Sequence, residues 1–578
     1  MSLITRRTAL QAALMAGAAS CSRPKTKTPF AASEKAASGL FAHGVASGDP
    51  ASDSVVLWTR LSPPPSDDAG VQYEVAWEVA SDPDFKAIVV TGSATTSAAR
   101  DNTVKAIADG LEPGKNYYYR FVSGADAVSP VGRTKTLPSG ALDAAKFAVL
   151  TCSNYPFGYF NVYDLVSRRD DLDAVIHLGD YIYEYGPDGY GGEEGAKLGR
   201  PHDPPHEILT LDDYRRRHAQ YKADPSTQAM HAAHPMIAIW DDHEVADNSW
   251  AGGAENHQPA TEGDWGARER AAMQAYFEWM PIREPDPDQP RAAIFRSFSY
   301  GDLLTIVALE SRLLARSAEI NYDDIAARLK TKDDAARFIK DVLGDPSRRL
   351  LGQPQEEFIA KALKASVASG QPWRVIANQV IMAKVTAPDL NPHVTEKDIE
   401  ELQAQWSQAR SFIKTSALGL PMDFDAWNGY PAARERFYKT TREAGAQGLV
   451  VVTGDSHTWW ANDLVAEDGA HMGVELGVHS VTSPSPFRRE FLGGKGADYA
   501  LLTNQDNKCV RYLSGENHGY ISLEIGREAV DARFVAVDTI ESPNYNAFDQ
   551  VSFKIKKAKD GVRFADMKGG SFKEEMLF

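Results

Sequence analysis

The stretch AVIHLGDYIYEYG (residues 174–186) decides the fold, because it joins a buried strand to a polar cluster. Residues 174–178 are apolar except for His177, and Gly179 and Asp180 then interrupt the run. Tyr183 follows Asp180 three residues later. A carboxylate and a phenol placed directly after a strand indicate either an ordinary turn or a metal site, and other segments of the chain have to decide between the two.

Several other apolar runs have the character of buried strands: KFAVLTC, HPMIAIWDDHE, LLTIVALE, WRVIANQV and QGLVVVTGDSH. They alternate with helix-like charged segments such as LTLDDYRRRHAQYKAD and PQEEFIAKALKASVA, a pattern typical of strands covered by helices. Because the carboxyl ends of strands form the site in layered α/β folds, we expect the polar residues at these ends to meet. They are Cys152, Asp180, Asp242, His243, Asp455 and His457.

The segment before this region predicts a separate small domain. Short alternating stretches at 54–60, 72–79, 86–92, 103–108, 116–123 and 130–136 predict strands separated by turn residues. Residues 38–137 are therefore interpreted as an N-terminal, fibronectin type III-like β-sandwich domain, followed by a linker. Residues 146–545 form the predicted catalytic domain, and residues 546–578 are predicted to be a C-terminal tail or helix.

Residues 1–30 are interpreted as a twin-arginine signal peptide. Arg6 and Arg7 precede an apolar stretch that is too short to span a bilayer. The prediction is export through the twin-arginine machinery to the periplasm or the medium, with no transmembrane segment. Cys21 stands where a lipoprotein cysteine could be lipidated, so a lipid anchor stays open.

Charge and cysteine content exclude some protein classes. The formal charge of −17 argues against a basic nucleic-acid-binding surface. Only three cysteines exist, so the chain is not a disulfide scaffold. A Cys152–Cys509 bridge competes with a role for Cys152 as a metal ligand.

The order of motifs resembles the PhoD-like alkaline phosphatases, relatives of the purple acid phosphatases among the metallophosphoesterases. The resemblance rests on the order Cys, GDxxY, DDHE, GDxH, and on HGVASGDP, WDDHEVADNSW, LLGQPQEEFIAKAL, WRVIANQVIMA and VVVTGDSHTWW. It implies an α/β metallophosphoesterase-like β-sandwich core flanked by helices, which hydrolyses phosphate esters at a mixed Fe³⁺/Ca²⁺ site.

The resemblance also implies roles for individual residues. His243 would be the acid beside the leaving group. Glu310, in ALESR, departs from the aspartate usual in the family, which leaves its role and that of Arg312 open. The implied iron ligands are Cys152, Asp180, Tyr183 and His457, with Asp180 bridging to a second site at Asp242 and Asp455.

The chemistry of the donors agrees with this implication. A tyrosine ligand must lose a proton from a group of reference pKa near 10, which a trivalent ion achieves readily. Tyr183 and Cys152 therefore favour Fe³⁺ over Zn²⁺. The carboxylates of Asp242 and Asp455 suit one or two Ca²⁺ ions, with Mg²⁺ or Mn²⁺ as substitutes.

The predicted function is an exported alkaline phosphatase or phosphodiesterase that attacks small-molecule or polymer phosphate esters with a metal-activated hydroxide. Glu244 could orient His243, and Asn248 and Asn378 could support the ligands. His177 is interpreted as a core histidine. The alternatives are a non-haem iron oxidoreductase, a phosphodiesterase specific for lipid or polymer phosphodiesters, and a non-catalytic protein that binds through its sandwich.

Overall fold

The structure, a computed structural model, describes residues 39–63, 70–403, 406–490, 494–559 and 561–569. The predicted signal peptide and Cys21 lie outside these ranges. In the described ranges, no helix is both long enough and apolar enough to cross a membrane.

Strands are numbered along the chain. They are β1 (Val45–Gly48), β2 (Val55–Arg60), β3 (Gln72–Ala80), β4 (Ile88–Ser97), β5 (Thr103–Ala108), β6 (Asn116–Ser123), β7 (Ala127–Val128), β8 (Gly132–Lys135), β9 (Ala144–Leu150), β10 (Ala174–His177), β11 (Pro235–Ala238), β12 (Arg296–Tyr300), β13 (Leu304–Ala308), β14 (Trp373–Ala377), β15 (Leu449–Thr453), β16 (Trp459–Val465), β17 (His471–Gly477), β18 (Val510–Ser514), β19 (Gly519–Gly526), β20 (Ala529–Val537), β21 (Ala547–Ala558) and β22 (Gly561–Lys568).

Helices lie mainly between the strands of the catalytic region. They are α1 (Asn161–Ser167), α2 (Gly192–Leu198), α3 (Leu211–Ala223), α4 (Pro225–Ala233), α5 (Pro259–Glu262), α6 (Trp265–Trp279), α7 (Tyr322–Ala326), α8 (Lys332–Phe338), α9 (Gln353–Ala368), α10 (Glu396–Gln403), α11 (Ala409–Ser416), α12 (Pro431–Glu443) and α13 (Gly496–Asp506). Short 3₁₀ turns cover Gly39–Phe41, Ala98–Arg100, Tyr155–Phe157 and Trp427–Gly429, and a π-helical turn covers Ile339–Leu343.

These strands form three sheets. The main sheet has the order β22-β21-β20-β19-β9-β10-β11-β1-β2-β5, and the second sheet has the order β12-β13-β14-β15-β17-β16-β18. A small sheet has the order β4-β3-β6-β7, with β8 also paired to β6. The neighbouring strands β9, β10 and β11 are parallel, as are β13, β14 and β15. Within each sheet, the carboxyl ends of these strands therefore lie on the same side.

The main and second sheets form a sandwich whose core follows the alternation of side chains along each strand. In β14 and β15, Val375 and Val450 belong to the core between the sheets, whereas Ile376 and Val451 pack in the cluster on the helical side. Alternate residues of a strand point to opposite faces, so a strand that is apolar throughout is covered on both faces. The predicted α/β sandwich core flanked by helices is confirmed.

The two helical segments singled out in the sequence are α3 and α9. Helix α3 begins with a capping box, in which Thr210 and Asp213 satisfy each other's backbone N–H groups. Helix α9 begins near Pro354 in its first turn, where a missing N–H costs no hydrogen bond. Both helices therefore begin where their local sequences favour a helix start.

The N-terminal region contains the predicted strands but is not an independent sandwich. Its own core joins side chains such as Val75 and Phe121 of the small sheet to Val55 and Leu57 of β2. Strand β1 pairs in parallel with β11, so β1, β2 and β5 extend the main sheet. One layer of this sandwich is therefore the edge of the catalytic sheet, a continuity that strand periodicity alone does not reveal.

The prediction of a tail or helix at residues 546–578 is wrong for the described part of this segment. Residues 547–558 and 561–568 are the strands β21 and β22 of the main sheet, with β22 at its edge. Val551, Phe553 and Ile555 alternate with polar residues and are buried. This alternation, followed by Asp-Gly at 560–561, is a hairpin signal that was available in the sequence.

Candidate metal centre

Polar side chains gather where β9, β10, β11 and β15 end. Four of the loop residues adopt left-handed backbone conformations: Cys152 (φ 58°), Asp180 (φ 55°), Asp455 (φ 60°) and His457 (φ 51°). Such conformations cost about 1 kcal/mol or more for residues with side chains, and they cluster at functional sites. The chain thus tolerates strain in the loops that aim these donor groups.

Cys152, Asp180, Tyr183 and His457 form the first donor group. The Cys152 thiol donates to Asp180 Oδ2 at 3.3 Å, and the Tyr183 hydroxyl donates to the same oxygen at 3.0 Å. Tyr183 OH is 3.2 Å from His457 Nε2. Donor atoms of Cys152, Asp180 and His457 all lie within 4.8 Å of one another, so one ion could contact them together.

Asp180 also belongs to a second group, with Asp242 and His243, whose donor atoms again lie within 4.8 Å of one another. Asp180 Oδ1 and Asp242 Oδ1 are buried and have no hydrogen-bond partner. A buried carboxylate oxygen without a partner is costly, and a cation would satisfy it. These oxygens therefore fit the bridged pair of metal sites that the sequence predicts.

A third group consists of Asp241, Asp242 and Asp455. The buried Arg312 lies among these carboxylates. Its Nε donates to Asp241 Oδ1 at 2.5 Å and its Nη2 to Asp455 Oδ1 at 2.9 Å, and Nη2 is 3.6 Å from Asp242 Oδ1. Asp425 accepts two further bonds from Nη1, at 2.8 and 2.7 Å. Arg312 thus offsets part of the negative charge of this third group.

Burial raises the pKa of the donors that must lose protons. The pKa values of Cys152 and Tyr183 lie well above their usual range because the side chains are buried, and the neighbouring Asp180 raises both further. Burial and nearby carboxylates also raise the pKa of Asp180 and Asp455. Thiolate and phenolate forms therefore need a positive charge in the site, which a bound metal ion would supply.

His243 is held on a buried carboxylate that the sequence did not single out. Its Nδ1 is 2.8 Å from Glu184 Oε2, and its ring stacks on Tyr183 with centroids 4.2 Å apart. Burial would lower the pKa of His243, but Glu184, Asp242 and Asp180 outweigh it and raise that pKa well above the usual value. The other ring nitrogen, Nε2, lies 4.0 Å from Asp247 Oδ1.

Glu244 does not orient His243, contrary to the prediction. Its carboxylate accepts backbone N–H groups from Asp180 at 3.0 Å, Tyr181 at 2.6 Å and Asp241 at 2.8 Å. Consecutive residues of this tight turn point apart, so the neighbour in sequence faces the backbone while Glu184 reaches the imidazole. Glu244 instead fixes the loops of Asp180 and Asp241 against each other.

The two asparagines predicted to support the ligands differ in position. The Asn248 backbone N–H donates to Asp242 Oδ2 at 2.6 Å, so this residue contacts a member of the candidate donor groups. Asn378 instead donates to the Val380 carbonyl and accepts from Trp427 Nε1 at 3.2 Å. Those contacts make Asn378 a structural residue of the loop after β14.

The residues left open in the sequence also have definite positions. Glu310 accepts the backbone N–H groups of Arg312 at 2.9 Å and Leu313 at 2.7 Å, so it shapes the loop that carries Arg312. His177 is a buried core histidine that contacts the Tyr163 hydroxyl at 2.8 Å. Cys152 and Cys509 are both free, so the bridge between them is not formed.

Sequence reasoning missed three residues of the site: Glu184, Asp241 and Asp425. Asp241 and Glu184 lie inside the motifs WDDHE and GDYIYE, and only the direction of each side chain was unknown. Asp425 lies in a loop between α11 and α12 and carries no sequence signal that separates it from other loop carboxylates.

A cavity of about 290 Å³ adjoins the centre, and Asn248, Asp425, Asp455 and Ser456 lie in its wall. A cluster of side chains that could hold metal ions, placed at the carboxyl ends of strands and beside a cavity, suits a hydrolase whose substrate is held by metal ions. The fold and the site together are suited to a hydrolase of phosphoric esters, with donor groups that could hold metal ions.

Comparison with known proteins identifies the family. The sequence pattern of the PhoD-like phosphatases matches residues 147–534, and that of their N-terminal domain matches residues 25–138. The chain belongs to the PhoD-like phosphatase family. This assignment removes the oxidoreductase and the non-catalytic alternatives.

Two relatives illustrate the match. The chain is 36% identical over 538 residues to alkaline phosphatase D of Bacillus subtilis (strain 168), covering 90% of this chain and 82% of that protein. A solved structure titled "Structure of PhoD" superposes with a TM-score of 0.74 at 32% identity, covering 93% of both chains.

Proposed function

We propose that this phosphatase is an exported phosphodiesterase and phosphomonoesterase with an Fe³⁺ ion beside one or two Ca²⁺ ions. The observation that supports it most is Asp180, whose carboxylate lies in one group with Cys152 and His457 and in another with Asp242. A carboxylate shared between a thiol and an imidazole on one side and a second carboxylate on the other is suited to two unlike metals.

The proposed iron site comprises Cys152, Asp180, Tyr183 and His457, and the calcium site comprises Asp180, Asp242 and Asp455, with Asp241 as a further donor. When bound, these ions would supply Lewis-acid charge to the phosphate oxygens and lower the pKa of a water molecule. The orphaned oxygens of Asp180, Asp241 and Asp242 support this assignment.

The chain's own contribution to the reaction is to move a proton and to hold the loops. Glu184 accepts from His243 Nδ1, which fixes the ring so that a proton on Nε2 can be given to the leaving-group oxygen. Glu244 holds the loops of Asp180 and Asp241 in register, and Arg312 positions Asp241 and Asp455. In this scheme the leaving alcohol departs protonated.

The iron assignment predicts a coloured protein, because phenolate and thiolate ligands give Fe³⁺ visible charge-transfer bands. Native protein is expected to absorb in the visible range while hydrolysing bis(p-nitrophenyl) phosphate. Tyr183→Phe should bleach or shift the band. Tyr185→Phe is the matched control, since Tyr185 donates to Asp247 at 2.7 Å and belongs to none of the donor groups above. A colourless, fully active protein with stoichiometric zinc would contradict the assignment.

Export is proposed from Arg6 and Arg7, which precede the short apolar stretch. Replacing both with lysine is expected to retain the protein and its activity in the cytoplasm, because the twin-arginine machinery reads the arginine pair. Activity is measured in periplasmic, medium and cytoplasmic fractions. Export equal to that of the unchanged chain would remove this proposal.

A further inference from the structure

The cavity beside the metal centre has aromatic walls. Two groups of rings line it: Tyr322, Trp406 and Phe412, and Trp460, Phe487 and Tyr499. Within the first group, Tyr322 is 5.2 Å from Phe412 and 5.9 Å from Trp406, measured between ring centroids. Within the second, Phe487 stacks on Tyr499 at 4.6 Å. An aromatic enclosure of this kind favours a ligand group that is either apolar or cationic.

The same cavity is acidic. Its lining includes the carboxylates of Glu255, Glu319, Asp423, Asp425 and Asp455, and none of the described residues in its wall is a lysine, arginine or histidine. An apolar ligand group gains nothing from these carboxylates, and an anionic one is repelled by them. A cationic group gains both from the carboxylates and from the ring faces.

Three of the carboxylates lack a cation of their own among the described residues, and one of them, Glu255, accepts hydrogen bonds from Asn248 at 2.8 Å and Gln408 at 3.0 Å. Asp425 is paired with Arg312 and Arg316, whereas neither Glu319 nor Asp423 forms an ion pair with any residue in the described ranges. Asp423 only accepts the Asp425 backbone N–H at 2.8 Å.

Burial and mutual repulsion disfavour the charged forms of the Glu319 and Asp423 carboxyl groups, although the nearby Arg316 acts in the opposite direction. Burial, and then the neighbouring carboxylate of Asp425, raise the pKa of Asp423 to about 6. The same causes hold the pKa of Glu319 well above its usual range. A cation in the cavity would lower the pKa of both groups and stabilise their ionised forms.

We propose that this cavity is a subsite for an organic ammonium group carried by the alcohol part of a phosphodiester substrate. The proposal rests on the proposed phosphodiesterase function and names the substrate class for it. Because Asp455 and Ser456 belong to the cavity wall, a phosphate held at the metal centre lies next to the subsite. The ester would then be bound at two points, the phosphate by the metals and the ammonium group by rings and carboxylates.

The test compares two diesters of equal shape, p-nitrophenyl phosphorylcholine and p-nitrophenyl 3,3-dimethylbutyl phosphate. They differ only in a charged nitrogen against a neutral carbon. The native metal-loaded protein is expected to show a kcat/KM at least about 10-fold higher for the choline ester, since cation–π and carboxylate contacts act on the charge alone. Equal rates, or a preference for the neutral ester, would overturn the subsite while leaving the phosphodiesterase function intact. No hydrolysis of either ester would instead count against the proposed function.

Variants connect the preference to the cavity. Glu319→Gln combined with Asp423→Asn is expected to reduce the choline preference about 10-fold. The matched controls are Glu400→Gln and Asp324→Asn, exposed carboxylates on the neighbouring helices α10 and α7, which should leave the preference within about twofold. A preference that survives the double substitution would place the cation elsewhere and refute the assignment.

A binding measurement separates recognition from turnover. Calorimetric titration with tetramethylammonium chloride, against sodium chloride at equal ionic strength, should give saturable heat with the native protein and much weaker binding with the double variant. The thermal midpoint of the double variant is measured alongside, so that loss of binding by an unfolded protein is recognised. Saturable binding of equal strength in a folded double variant would also refute the assignment.

Discussion

Asp242→Asn is expected to lower kcat/KM for every phosphate ester by about 10³-fold or more, because a two-metal clamp supplies several kcal/mol of transition-state stabilisation. The substitution keeps the shape of the side chain and its acceptor for the Asn248 N–H, but it removes a negative charge from two of the donor groups. The loss should therefore come with loss of bound calcium rather than with unfolding.

The measurement combines metal analysis, thermal melting and kinetics on mono- and diesters. Treatment of the unchanged protein with EGTA should reproduce the loss, and added Ca²⁺ should reverse it in the unchanged protein but not in the variant at the same concentration. Asp212→Asn, an exposed carboxylate on α3, is the control and should behave as the unchanged protein. Full activity in Asp242→Asn, or activity restored only by Zn²⁺, would contradict a hard-ligand site.

His243→Ala is expected to cost about 10²- to 10⁴-fold with esters of alkyl alcohols and much less with p-nitrophenyl esters. An alkoxide needs a proton to depart, whereas p-nitrophenolate does not, so the loss of an acid depends on the leaving group. This dependence matters because the donor atoms of His243, Asp180 and Asp242 lie within 4.8 Å of one another, a geometry that would also permit metal binding.

The result distinguishes the two roles of the imidazole. If the variant keeps its metal and its loss of activity depends on the leaving group, His243 is an acid. If the variant loses metal and is slowed equally for all esters, His243 is a ligand.

Glu184→Gln tests the carboxylate that positions His243. This substitution should lower the pKa of His243, because a neutral amide no longer stabilises the imidazolium. In the pH–rate profile, the loss of acid function should therefore occur at a lower pH. An unchanged profile would show that Glu184 has a structural role only.

The acceptor for the His243 ring shows where sequence reasoning reached its limit. Glu244 is the next residue after His243, whereas Glu184 lies 59 residues away along the chain. Proximity in sequence favoured Glu244, but a turn directs successive side chains to different sides. Only the folded loops reveal that Glu244 is used by backbone N–H groups and that Glu184 faces the imidazole.

The sequence by itself determined the strands, the order of the motifs and the types of donor at their ends. Apolar runs and turn residues are sufficient to locate strands, because both signals depend on residues close together in the chain. That is why the sequence alone groups Cys152, Asp180, Asp242 and Asp455 as donors at strand ends. The alternation in 547–568 carried the same kind of signal, and its polar content obscured it.

Only the tertiary structure shows which side chains are in contact with one another. The groups around Arg312 come from loops after β11, β13 and β15 and from the loop between α11 and α12, and their convergence depends on how two sheets pack. The continuity of β1 with β11, and the aromatic and acidic walls of one cavity, arise in the same way. Contacts of this kind join residues far apart in the chain, and no local pattern encodes them.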